Sequence, residues 1–257
     1  MNKETATKLN IPTETVELPS KGVLYPKDSP LSSGKVEMKY MTAREEDILT
    51  NANFLKQGIV LDKLLQSLIV SDIKYDDVLV ADKDALLIAA RILGYGKDYT
   101  FQMKNPESGE YESVTVDLTT LKEKALNEEA LVEKGKNEFK FKTPSTGDEL
   151  TVRLLTVKDE KEIEREINGL KKVSAALSYD LSTRLKYIIT SVNGDKSIAT
   201  IRNYVDNHLL ARDSRALRKY IVDIAPGVEL KFDFVTDTYT EEGVDLPLNV
   251  NFFWPEL

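Results

Sequence analysis

The feature that most constrains this chain is a strand-to-helix junction that occurs twice. The first copy is MTAREEDIL at residues 41–49, and the second, more degenerate, is LTVKDE at residues 155–160. In each copy, a stretch that alternates apolar and polar residues ends at a threonine, and a helical pattern starts directly after it. Thr42 with Glu45 has the residues and spacing of a capping box. Thr156 with Asp159 has the same spacing and is a weaker copy. Such junctions are common, so these residues alone do not establish a repeat.

Other short motifs recur in the same order. The pairs are PSKG at 19–22 with PSTG at 144–147, DKDAL at 82–86 with DSRAL at 213–217, and Gly96 and Phe101 with Gly227 and Phe232. The separation between partners changes only where a loop could absorb the change, notably in the Pro- and Ser-rich residues 23–33. We therefore predict an internal duplication, because one long period fits two lobes better than a solenoid of short repeats.

Each predicted lobe combines helices with small antiparallel hairpins, so the fold class is α+β. In the first lobe we predict a strand at 35–41, helical faces at 48–55 and 60–69, an apolar core helix at 85–93 that Asp82 or Asp84 caps, and a hairpin of 99–103 with 114–118. In the second lobe we predict a hairpin of 139–141 with 150–154, helices near 157–173, 181–192, 197–208 and 213–224, and a strand pair at 229–235 and 244–253.

The predicted organisation has four parts. These are an extended N-terminal arm at 1–17, a first lobe at 18–122, a linker at 123–137, and a second lobe at 138–257 that ends in an aromatic strand. The arm is polar and lacks a helical stripe, so we expect it to become ordered only against another molecule. A chain of 257 residues can bury one large core or two modest ones, and the duplication favours two.

Composition excludes several classes of function. The chain has 41% hydrophobic and 30% charged residues, as in an ordinary globular protein, and it has no cysteine, so disulfides and thiolate sites are excluded. Its net charge of −8 opposes binding to nucleic acid or anionic lipid. No apolar run approaches the roughly 20 residues that span a bilayer, and residues 1–10 lack a signal-peptide core, so we expect a cytoplasmic protein without a membrane partner.

No motif in the sequence demands catalysis. The single histidine, His208, lies where a helix surface or helix end is expected. The glutamates at 160, 162, 164 and 166 are interspersed with Lys161 and Arg165, which is typical of an exposed charged helix, and no glycines have phosphate-loop spacing. We therefore expect no enzyme activity, no cofactor, no metal and no small-molecule substrate.

Two features are candidates for protein–protein contact. Arg212, Arg215 and Arg218 share a predicted helix face that could bind carboxylates or phosphate, although a solvated or salt-bridged face is the alternative. Phe252, Phe253 and Trp254, which include the only tryptophan, could fill pockets on a partner. Alternatively, these rings could tuck back over the second lobe.

Five of these segments together resemble one protein family. They are LPSKG with the following YP at 18–26, MTAREEDIL at 41–49, RILGYG at 91–96, LARDSRALR at 210–218 and FFWP at 252–255. This set resembles the baseplate hub and hub-assembly proteins of T-even-type contractile-tailed bacteriophages. The resemblance implies a non-enzymatic protein located in the virion tail baseplate, and in the host cytoplasm during assembly, whose partners are other tail and baseplate hub proteins.

One departure from the family pattern bears on metal binding. Relatives carry Cys-Pro-x-Cys-Gly at hairpins of this kind, which suggests a zinc ribbon. The matching residues here are NPESG at 105–109, and neutral Asn105 and Ser108 cannot replace thiolates as zinc ligands. We therefore expect turn chemistry and packing to hold this hairpin without zinc.

Three functions remain open from the sequence. The leading hypothesis is a structural or assembly protein of the baseplate hub, which acts through its arm, its arginine face and its aromatic end. The alternative is a transient assembly chaperone that is absent from the mature virion. A nucleic-acid adaptor descended from a zinc ribbon is disfavoured by the acidic pI of about 5.0.

Overall fold

Eight α-helices and eleven short strands form the part of the chain that the structure describes. The structure is a computed structural model, and it describes residues 11–173, 179–246, 248 and 250–253. The elements of the first half are β1 (Thr13–Glu17), β2 (Lys35–Lys39), α1 (Ala43–Leu49), α2 (Ala52–Lys56), α3 (Val60–Leu68), α4 (Val80–Tyr95), β3 (Asp98–Lys104), β4 (Tyr111–Asp117) and β5 (Glu123–Lys124). Those of the second half are β6 (Phe139–Lys142), β7 (Glu149–Val152), α5 (Val157–Val173), α6 (Asp180–Ile188), β8 (Ile189–Val192), α7 (Ile198–Asn207), α8 (Ala211–Ile224), β9 (Gly227–Val228), β10 (Lys231–Val235) and β11 (Thr240–Asp245).

The α+β class is confirmed, because helices pack beside five small sheets whose named strand pairs are all antiparallel. Sequence alternation explains β2 directly: Val36 and Met38 are buried, while Lys35 and Glu37 are exposed. The predicted hairpins of β3 with β4 and of β6 with β7 are present. In the described part of the chain, no helix is both long and apolar enough to cross a bilayer.

The predicted N-terminal arm is wrong for residues 13–17. These residues form β1, which pairs along its length with β2 of the first lobe. Every β1 side chain except Val16 is exposed, so the alternation that marks a half-buried strand is missing from the sequence. Backbone hydrogen bonds hold this edge strand. Residues 1–10 of the predicted arm lie outside the described residues.

The apolar core helix of the first lobe is confirmed as α4, although its start differs from the prediction. Leu86, Leu87 and Ile88 are buried, and the helix stops at Gly96, whose positive φ of 87° suits glycine. The residue before the helix is Leu79, so neither predicted aspartate is the N-cap. The helical face predicted at 48–55 is divided between α1 and α2. Asn51 is the N-cap of α2, since its side chain accepts hydrogen bonds from the backbone N–H groups of Asn53 and Phe54.

Two corrections concern the second lobe. The helix predicted at 181–192 ends at Ile188, and residues 189–192 instead form β8, which pairs with β7. The strand predicted at 244–253 is also wrong, since β11 ends at Asp245 and residues 250–253 form a 3₁₀ turn. The aromatic end is therefore not a strand. The helices predicted near 157–173, 197–208 and 213–224 are confirmed as α5, α7 and α8.

The two lobes share one continuous hydrophobic core, so the expectation of two separate cores is wrong. A reciprocal backbone pair joins them: Val80 donates to the carbonyl of Leu155 (2.9 Å), and Val157 donates to that of Val78 (2.8 Å). At the other end of α4, Phe101 of β3 meets Phe232 of β10 edge to face, with ring centroids 5.4 Å apart. The predicted linker also connects the lobes through β5, which pairs with β9.

The order of elements is similar in the two lobes. A hairpin leads through a threonine into a helix, further helices follow, and a last long helix precedes a final hairpin in both halves. The second lobe has an additional strand, β8, where the first has only an isolated bridge between Met38 and Ile69. A common origin of the lobes stays a prediction, and so do the exact domain boundaries.

Candidate partner-binding surfaces

The first strand-to-helix junction is built around a buried carboxylate, Glu45. Its two oxygens accept hydrogen bonds from the Thr42 backbone (3.0 Å) and hydroxyl (2.6 Å), from Lys39 (2.8 Å) and from Ser67 (2.7 Å). Burial raises the pKa of Glu45, but the hydrogen bonds from Lys39, Thr42 and Ser67 outweigh it and lower the pKa to about 2. The junction is thus a charged anchor with four hydrogen bonds that fixes α1 to β2 and α3.

The second junction uses the same chemistry. Asp159 accepts from the backbone (2.9 Å) and hydroxyl (2.8 Å) of Thr156, and Arg153 donates to its other oxygen at 2.6 Å. In both lobes, a basic residue three positions before the threonine pairs with the carboxylate three positions after it. The two carboxylates hold α1 and α5 in place.

The recurring PS and DxxAL motifs contact each other in both lobes. In the first lobe, Asp82 accepts from the Ser20 backbone (2.9 Å), the Ser20 hydroxyl (2.7 Å) and Tyr25 (2.6 Å). In the second, Asp213 accepts only from the Ser145 backbone (2.8 Å), and its other oxygen is buried without a described partner. Tyr25 belongs to the irregular segment 23–33, so that segment supplies a hydroxyl that the second lobe lacks.

The aromatic C-terminal candidates do not face solvent. Phe252 and Phe253 are buried at 0% and 1% exposure, and the Phe252 ring lies 4.9 Å from that of Tyr99 in the first lobe. Arg91, itself buried in α4, donates from Nε to the Phe252 carbonyl at 2.9 Å and stacks near Tyr95 and Tyr99. Both rings are therefore packed inside their own chain, and the contacts of Phe252 with Arg91 and Tyr99 place that ring against the first lobe rather than the second. Trp254 lies outside the described residues.

The arginine candidates are exposed on α8. Arg212, Arg215 and Arg218 all face solvent, and none of them makes a hydrogen bond or ion pair with another residue that the structure describes. Lys219 adds a fourth exposed cation. The opposite side of the helix carries the buried Asp213, Leu217 and Ile224. Within the described part of the chain, the arginine face of α8 is therefore solvated rather than salt-bridged.

The remaining charged candidates have structural explanations. Glu160 and Glu166 of α5 bind Arg184 and Arg202, each with a shortest distance of 2.6 Å, and so link α5 to α6 and α7. His208 is exposed at the C-terminal end of α7, where the sequence placed it. Among the described ranges, no group of three or more His, Asp and Glu side chains could hold a metal ion.

Asn105 holds the β3–β4 hairpin by turn chemistry. Its side-chain oxygen accepts from the backbone of Glu107 (2.8 Å) and Ser108 (3.3 Å), and its Nδ2 donates to Glu112 at 2.6 Å. The same nitrogen lies within hydrogen-bond distance of Thr236 and Thr238 in the β10–β11 turn. Asn105 thus joins the final hairpins of the two lobes.

Sequence reasoning missed two sets of these residues. The Lys39–Glu45 and Arg153–Asp159 pairs could have been found from a shared signal, a basic residue ahead of each capping threonine. The contact between Arg91 and Phe252 could not, because the residues are 161 positions apart and no local pattern links them. Both sets of contacts connect helices and strands of this same chain.

Comparison with known proteins identifies the family. The family model described as T4 bacteriophage base plate protein matches residues 11–168, which is more than half of the chain. No curated protein and no solved structure matches the chain significantly. The matched range contains the first lobe, the linker and the start of the second lobe through most of α5. The chain therefore belongs to the T4 bacteriophage base plate protein family.

Proposed function

We propose that this bacteriophage baseplate structural protein serves the central tail hub, as a component or as an assembly factor, and acts only through contacts with other tail proteins. The family match over residues 11–168 carries this proposal. Its finer part, the hub, is supported by the ordered motifs that resemble hub and hub-assembly proteins. Those motifs extend beyond the matched range to LARDSRALR at 210–218.

The exposed face of α8 is the proposed contact surface. Arg212, Arg215 and Arg218 present three exposed guanidinium groups without described partners, whereas the half-buried Arg184 and Arg202 are bound to carboxylates of the same chain. A protein with a net charge of −8 that keeps an unpaired basic stripe can attract an acidic surface there. Bidentate contacts from arginine to carboxylates would fix the orientation of the partner.

A non-enzymatic role fits the buried carboxylates of the described residues, because they bind neighbours in the same fold. The buried carboxylates Glu45, Asp82 and Asp159 accept hydrogen bonds from neighbours in the same fold, and each one positions a helix. Catalytic groups, by contrast, converge on a cleft where a substrate can reach them. On this proposal, the carboxylates stabilise a rigid scaffold that presents the basic face of α8.

Mass spectrometry of purified virions tests where the protein acts. A component of the hub should be present in virions at a fixed ratio to the other baseplate proteins. A transient assembly chaperone should instead be found with hub intermediates from infected cells and be missing from virions. Detection in neither preparation would contradict both forms of the proposal.

A further inference from the structure

A second surface of different chemistry lies between the two lobes. An open groove of about 360 Å³ is bordered by the start of α4, the end of α8, β9 and the residues that follow β7. Its walls are mainly apolar and are formed by Val80, Leu155, Ile221, Val222, Ala225 and Val228. Five of these side chains are half-buried, and Val222 at the rim is 65% exposed. Apolar surface that is left open in this way is a common mark of a binding site.

The charges along this interlobe groove are unequal. Its two cations are engaged, because Lys124 donates to the Val222 carbonyl and Arg153 binds Asp159 at 2.6 Å. Two carboxylates of the groove, Asp84 and Glu229, make no hydrogen bond or ion pair with any described residue. The groove is thus apolar with an excess of unpaired negative charge.

Asp84 gives the groove its electrostatic preference. The residue is half-buried near the start of α4, and burial raises the pKa of its carboxyl group more than the charge of the neighbouring Lys83 lowers it. A carboxylate in a partly desolvated position gains more from a cation than one in water does. An incoming Lys or Arg would therefore find a stronger partner here than at the exposed acidic residues of the surface.

We propose that the interlobe groove binds a cationic amphipathic segment of another tail protein. Apolar side chains of the segment pack against Val80, Ile221 and Val222, and one of its Lys or Arg residues pairs with Asp84. The choice of a tail protein as the source rests on the proposed function, but the chemistry of the groove does not. A protein segment suits the site because the groove is open and its apolar wall reaches the surface at Val222, so that an extended chain can lie along it.

Selection from a random library of displayed peptides, about twelve residues long, tests this chemistry without phage tail proteins. The full chain is the bait. We expect enrichment of sequences that combine Leu, Ile or Phe with Lys or Arg, and we expect those peptides to lose affinity by about tenfold for Asp84→Asn and for Val222→Lys. Enrichment of acidic or purely polar peptides would overturn the proposal, as would no enrichment.

Matched controls separate the groove from the surface in general. Val235 is 66% exposed on β10 and does not border the groove, so Val235→Lys should bind the selected peptides as the wild type does. Asp237→Asn, on the exposed β10–β11 turn, is the control for Asp84→Asn. Equal losses for the groove and control variants would refute the site.

A third variant tests whether the chain occupies its own groove. Residues 1–10 include Lys3, Lys8 and Leu9, which have the expected chemistry. If peptides bind only after deletion of residues 2–10, the occupant is this chain's own N-terminal segment, and the proposal of a partner protein is wrong. Because the selection uses no virion component, its failure leaves the proposed hub function to be judged by virion mass spectrometry.

Discussion

Truncation of Phe252 to Ala should destabilise the protein strongly, although the residue lies five positions from the C-terminus. The ring is fully buried, lies 4.9 Å from the ring of Tyr99 and 5.4 Å from that of Phe253, and its backbone carbonyl is held by Arg91. Removal of a buried Phe side chain costs about 3–5 kcal/mol, because transfer energy is lost and a cavity remains. That is a large part of the roughly 5–15 kcal/mol that stabilises a typical domain.

The expected loss is measurable by thermal unfolding. For chains of about this size, 1 kcal/mol shifts the Tm by roughly 2–4 °C, so Phe252→Ala should lower the Tm by roughly 6–20 °C. Circular dichroism and scanning calorimetry on the purified full chain both report this change. Tyr111→Ala is the control, because Tyr111 is 71% exposed on β4 and surface truncations usually change stability by about 0.5 kcal/mol or less.

Two outcomes would refute the reasoning about Phe252. If Phe252→Ala melts within about 2 °C of the wild type, less than 1 kcal/mol has been lost and the ring is not buried in its own chain. If Tyr111→Ala loses as much stability as Phe252→Ala, burial does not explain the effect. In the first case, the aromatic end would again be a candidate anchor for a partner, together with Trp254.

Three further predictions concern the two buried polar clusters and the core helix. Because the folded pKa of Glu45 is about 2 and the unfolded value about 4.5, its stabilisation is full above pH 4.5 and lost as the pH falls toward 2, so Glu45→Gln should flatten the acid limb of a pH-dependent unfolding curve in that window. Tyr25→Phe should cost about 1–3 kcal/mol in urea unfolding, since it leaves Asp82 without one of its buried donors, and an unchanged midpoint would contradict this. Ile88→Asp should keep the protein from folding, and so abolish its cooperative melting transition, because the substitution buries an unpaired charge in α4. Ile198→Asp, at a position that is 74% exposed, should melt as the wild type does. A soluble, cooperatively melting Ile88→Asp variant would show that α4 is not a core helix.

Helix α4 and the hairpins could be predicted because their signals are local. The apolar run 85–93 is too long for a typical strand and stops at glycine, and the turn at Asn105 has a sequence signature of its own. The capping threonines were predictable for the same reason, since donor and acceptor are three positions apart. In such cases a short window of sequence contains all the atoms that decide the structure.

Other elements could not be predicted because their partners are distant. Strand β1 has no apolar alternation and exists only because β2 offers a backbone edge. Strand β8 continues directly from α6 in a sequence that fits a helix equally well, and pairing with β7 decides its conformation. The burial of Phe252 depends on Arg91, far away in the chain.

The candidate site was predictable only in part. The exposed arginine face followed from the three-residue spacing of Arg212, Arg215 and Arg218 on one helix. The sequence did not predict that these arginines lack described ion partners. Carboxylates that are near them in the sequence bind elsewhere in the fold, and Asp213, for example, accepts a hydrogen bond from the Ser145 backbone. The interlobe groove has no sequence signal, since residues from α4, α8 and the end of β7 meet only after folding.

The most direct test of a hub role through α8 is recovery of tail proteins with a tagged chain from infected cells. The variant carries Arg212→Glu, Arg215→Glu and Arg218→Glu, and the control carries Lys27→Glu, Lys56→Glu and Lys104→Glu, which are exposed and change the net charge equally. Quantitative mass spectrometry should show baseplate hub proteins with the wild type and the control, and a loss of about tenfold or more for the arginine variant. Equal recovery of hub proteins with both variants, or none with the wild type, would contradict the account.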